Sequence, residues 1–163
     1  MENAITNTTK QHYITSIAAL NIPSLDGTGD WHFSDCFIHH GDFLPQQHLA
    51  EIDTISTRHL LGDYGIFECS DILKKYGASP LPDQAEIYAA NHYRAVVDMI
   101  FDLVKNGQSI TDTVILDDWF PEDSEKQTVY QLLDKLKADL TDQQWMMIDE
   151  WKTLSRAITH LSI

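Results

Sequence analysis

A chain of 163 residues with 43% hydrophobic and 22% charged side chains has the size and apolar content of one compact domain, which excludes wholesale disorder. Its 25 acidic against 11 basic residues, a formal charge of -14, exclude a binder of the phosphate backbone, because that role needs clustered cations. Two cysteines, Cys36 and Cys69, lack C-x-x-C spacing and sit among apolar neighbours, which excludes a disulfide framework and predicts free buried thiols.

The first predicted element is a short helix ending near Leu20, in which Tyr13, Ile14, Ile17 and Ala18 recur at helical spacing. Pro23 and the Asp26–Asp30 run end it. Residues 31–38 then alternate as a strand, with Trp31, Phe33, Asp35 and Phe37 on one face and His32, Ser34, Cys36 and Ile38 on the other. Pro45, Leu49, Ile52 and Ile55 predict a second helix reaching His59. Residues 64–69 read as another strand, followed by a brief helix, DILKKYG, that Gly77 stops.

The strongest pattern is a central helix over 84–107. Ala89, Tyr93, Val96, Val97, Ile100, Phe101 and Val104 share one stripe, while Arg94 and Asp98 are spaced i, i+4 as an ion pair. Residues 111–116 read as a third strand, and the acidic turn DDWFPED follows. Two helices complete the chain, one over 122–139 and one opened by a Thr141/Gln144 capping box, with Met147, Trp151, Leu154 and Ile158 facing inward. They are expected to form an antiparallel pair. Scattered short strands among longer helices predict an α+β, helix-rich single domain over 1–163, its small sheet packed on the central helix.

Function is less constrained. Residues 22–42 crowd Asp26, Asp30, Asp35 and Asp42 around His32, His39 and His40. A metal-assisted hydrolase would use Asp26, Asp30 and His32, with His92 as a remote ligand, yet strand alternation puts His32 and Asp35 on opposite faces and no H-E-x-x-H or Cys/His spacing is present. A phosphate cradle at Asp26-Gly27-Thr28-Gly29 lacks a lysine and is flanked by acids. The structural alternative makes Asp26, Asp30, His32, Asp35, His92 and Arg94 one polar cluster, in which the central helix pins the turn. No G-x-S-x-G elbow supports nucleophilic catalysis.

The acidic charge is spread along the chain: residues 1–60 hold 7 acids and 2 bases, 61–110 hold 7 and 4, and 111–163 hold 11 and 5. Such a surface repels nucleic acid and anionic membranes and steers basic proteins towards it. The leading expectation is therefore a small acidic bacterial or phage interaction protein that inhibits a basic, nucleic-acid-acting protein or nucleoprotein complex, antitoxin-like or anti-defence-like. Asp117, Asp118, Trp119, Phe120, Glu122, Asp123 and Glu125 form its expected partner-binding turn, with no cofactor or metal. A start lacking a basic, apolar leader and the absence of 18 consecutive apolar residues predict a cytoplasmic protein without a membrane span. The apolar C-terminal helices offer a homodimer face as a third expectation.

Overall fold

A computed structural model describes residues 7–23, 37, 48–78 and 86–161, with side chains as far as Arg156. Its elements are α1 (Ser16–Leu20), α2 (Arg58–Leu61), β1 (Ile66–Glu68), α3 (Ser70–Lys75), β2 (Tyr88–Ala90), α4 (His92–Lys105), α5 (Asp123–Asp134) and α6 (Asp142–Leu161). Two 3-10 turns, Leu116–Asp118 and Lys135–Asp139, flank α5. The fold is α+β and helix-rich.

β1 and β2 pair antiparallel, with Ile66 opposite Ala90, Phe67 opposite Ala89 and Glu68 opposite Tyr88. The free edge of β2 is not left open. Ile14 bridges to Ala89 in parallel and to Leu49 in antiparallel sense, so two isolated bridges extend the sheet to the segment around Leu49 and Ala50. Behind it α4 forms the centre of the core, burying Ala95, Val96, Val97, Ile100, Phe101 and Val104 against α1, α5 and α6. The predicted stripe is the buried one.

The predicted central helix starts too early. Residues 88–90 are the strand β2, and the helix begins only after Asn91, whose extended backbone and side-chain oxygen, accepting from Arg94 N at 2.9 Å, cap it. Ala89 fits a helical stripe, but its segment is held by ladder bonds to β1. The predicted strand at 111–116 is absent. Thr113 N and Val114 N both donate back to the Ile110 carbonyl, and the Val114 carbonyl accepts from Trp151 Nε1 at 3.1 Å. Val114 and Leu116 are buried while Ile115 is exposed, which reproduces strand alternation without a strand.

Over the described residues 48–59, the helix expected from Pro45 to His59 is absent except at Arg58 and His59, the start of α2. Leu49 and Ala50 belong to bridges, and Asp53 Oδ2 accepts from Leu49 N at 2.8 Å, holding a turn there. The strand expected over 31–38 lies outside the described residues except for Phe37, which is buried.

At the C-terminus both capping boxes form, Glu122 with Glu125 on α5 and Thr141 with Gln144 on α6. Tyr130 donates to Ser155 Oγ at 2.9 Å and Asp134 meets Lys152 at 2.5 Å, so α5 and α6 run antiparallel through side-chain contacts. The inward face of α6 carries Ile148, Trp151 and Lys152, whereas the predicted Leu154 is half exposed. No helix among the described residues is long and apolar enough to cross a membrane.

Candidate functional site

Three places carry chemistry. The first is a buried polar knot on α4. Arg94 is fully buried and Asp98 is 1% exposed, and Arg94 Nε donates to Asp98 Oδ1 at 2.9 Å. Asp98 also accepts from Tyr13 OH (2.6 Å), Thr15 Oγ1 (2.7 Å) and Thr57 Oγ1 (2.5 Å). Tyr13 and Thr15 are two apart on an extended segment and so present the same face. Arg94 Nη1 donates to the carbonyls of Gly62 (3.0 Å) and Tyr64 (2.7 Å), clasping the turn between α2 and β1. Burial first, and then the Asp98 charge, push the Tyr13 phenol far above its ordinary range, so it stays a donor. This knot has no access to a ligand, and its role is to join α4 to three distant segments.

The expected Arg94–Asp98 pair is thus present. Asp26, Asp30, His32 and Asp35, its expected partners in the turn, lie outside the described residues. His92 Nε2 meets the Ile22 carbonyl at 2.7 Å. Tyr13, Thr15 and Thr57 were not legible as members of the knot, since each is an isolated hydroxyl far along the chain. Among the described residues no group of three His, Cys, Asp or Glu side chains is placed to hold a metal ion.

The second place is the acidic turn, which divides into structural and outward parts. Phe120 is 2% exposed and stacks on Tyr93 with centroids 5.1 Å apart, so it belongs to the core rather than to a surface knob. Trp119 beside it is half-buried against the core. Asp117 pairs with the buried Lys126, while Glu122 and Glu125 cap α5. Asp118 and Asp123 are exposed, and no ion pair among the described residues engages them.

The third place is a cavity of about 400 Å³ between the sheet and the starts of α4 and α5. Among the described residues, Ile22, Phe67, Ile72, Tyr93 and Phe120 supply apolar wall, and Asn91, His92 and Glu125 supply polar groups. Gly65 closes one side at φ +72, where a Cβ would lie 2.6 Å from Asn91 Oδ1. The same glycine carbonyl accepts from Asn91 N at 2.7 Å, so the polar knot and the cavity share a rigid boundary. Its volume is in the range of about 300–1,000 Å³ usual for small-molecule sites.

Set beside known protein families, curated proteins and solved structures, the chain matches none of them.

Proposed function

We propose that this protein is a small acidic interaction protein that binds and restrains a basic, nucleic-acid-acting protein, in the manner of an antitoxin or a phage anti-defence protein. The observation that supports this reading is the fate of the cations near the acidic turn. Of the five basic residues in 111–163, Lys126 and Lys152 are 4% and 5% exposed, paired with Asp117 and Asp134. The Lys137 ammonium lies over Trp145 and the Arg156 guanidinium over Tyr130. Lys126 and Lys152 are thus drawn inward, while Lys135, Lys137 and Arg156 stay exposed beside the outward-facing Asp118, Asp123, Asp142, Asp149 and Glu150. Acidic side chains outnumber basic ones over 111–163 by 11 to 5, and the five named here are all exposed.

A cationic surface built to hold phosphates is complementary to such a face, and occupying it blocks nucleic-acid binding. The partner is expected to be retained by the immobilised protein at low salt and released as salt rises. The double variant Asp118→Lys/Asp123→Lys, checked for fold by circular dichroism, should lose the partner, with a flatter salt dependence. Undiminished retention by that variant, or a partner held equally at high salt, overturns the reading.

A further inference from the structure

We propose that the cavity beneath β1 and α4 binds a small organic cation with an aromatic or branched apolar body, an arylalkylamine in class, whose ammonium pairs with Glu125. The wall sets the body of the ligand. Phe67, Ile72 and the stacked Tyr93–Phe120 pair line the cavity with apolar and aromatic surface, against which an aromatic group packs and near which an ammonium is also favourably placed.

The polar groups set its head. Asn91 Oδ1 is engaged by Arg94 N, and His92 Nε2 by the Ile22 carbonyl. Glu125 is half-buried, and one of its oxygens, Oε2, accepts from Glu122 N at 3.1 Å. A carboxylate has a second oxygen and a full charge to satisfy. All 11 lysines and arginines of the chain fall within the described residues, and none forms an ion pair with Glu125. Its neighbour Lys126 is turned away to Asp117. A half-buried carboxylate in this wall that is paired with no lysine or arginine is complementary to a cation supplied by a ligand. The overall charge of -14 raises the local concentration of cations and lowers that of anions in the same sense.

The test uses three probes of nearly one shape, 2-phenylethylamine, 2-phenylethanol and 3-phenylpropionate, titrated into the full chain by calorimetry and followed by aromatic proton shifts. The amine should bind saturably at one site, the alcohol about tenfold more weakly, and the carboxylate not measurably. Glu125→Gln keeps an acceptor for the Glu122 amide, so it leaves the fold intact and should weaken the amine about tenfold, the loss of one charge-assisted contact worth about 1.4 kcal/mol. Ile72→Phe fills the cavity from a half-buried position and should abolish binding. No saturable binding of the amine, equal binding of the alcohol or the carboxylate, or unchanged affinity in Glu125→Gln overturns the proposal. Survival of amine binding in Ile72→Phe also overturns it, because the cation would then be sitting on the acidic surface.

Discussion

Arg94 and Asp98 stand one turn apart on the same helix, both shut off from solvent, with Nε and Oδ1 2.9 Å apart. The two halves of this pair are not equivalent. Without Arg94, Asp98 keeps three hydroxyl donors; without Asp98, Arg94 keeps two carbonyls and the Thr57 hydroxyl but remains an uncompensated buried cation. Asp98→Ala should therefore cost about 3–5 kcal/mol, and Arg94→Met, which retains apolar volume, distinctly less. Urea midpoints of the two variants decide it, and equal losses would show that the hydroxyl donors contribute nothing.

Gly65 should tolerate no side chain. Its positive φ and the contact of 2.6 Å that a Cβ would make with Asn91 Oδ1 act together, with Arg94 Cβ a further 3.0 Å neighbour. Gly62 and Gly107 also have positive φ, yet open space surrounds them. Alanine at 107 should cost about 1 kcal/mol, the conformational term alone, whereas alanine at 62, where φ 57 is joined to ψ -135, and alanine at 65 should each cost clearly more. Thermal melts of the three single variants test the ranking.

Alkaline stability should fall in two stages. Burial, aided by the Glu68 charge, pushes the Cys69 thiol from 9.0 to about 12, and the Tyr13 phenol is likewise raised from 10.0. A raised folded-state pKa means that the contribution is complete below the unfolded value and is lost as pH climbs from there through the folded value. The decline should begin near pH 9 from Cys69 and steepen near pH 10 as Tyr13 joins, each with a limiting slope of about 1.4 kcal/mol per pH unit. Urea unfolding at pH 8, 9 and 10 should show the first stage vanish in Cys69→Ala; an unaltered slope between pH 9 and 10 contradicts this.

Phe120 and Trp119 should separate cleanly under mutation. Phe120→Ala opens the core beside Tyr93 and should cost about 3–5 kcal/mol. Trp119→Ala, from a half-buried position, should cost less and reveal itself mainly in partner retention. Comparable stability losses would place both rings in the core.

What the sequence discloses depends on how local the cause is. The buried stripe of α4, the Arg94–Asp98 pair and the Thr141/Gln144 box are set by neighbours three to eight residues apart, and each is legible. β2 is three residues long, too short to display alternation, and Ala89 fits the helical stripe as well as the ladder. The strand pattern at 111–116 reflects burial of Val114 and Leu116 under α6, and no ladder stands behind it. Lys126 and Lys152 read as surface residues until aromatic rings and carboxylates from other turns enclose them. Glu125 was expected at the partner surface for its charge. Its place in a cavity wall follows from the packing of α5 against α4, a relation that no spacing encodes.

The carboxylate of Asp98 gathers Tyr13, Thr15 and Thr57 from 85, 83 and 41 positions away. One side chain thus closes loops that span more than half of the molecule, and closure of loops this long is slow. Burying the charge pair of α4 before all three hydroxyls arrive would remove its water without replacing it. The N-terminal segment and the central helix therefore become native together, late and in a single step, so that removing residues before Thr15 should dissolve the domain as a whole rather than trim its edge.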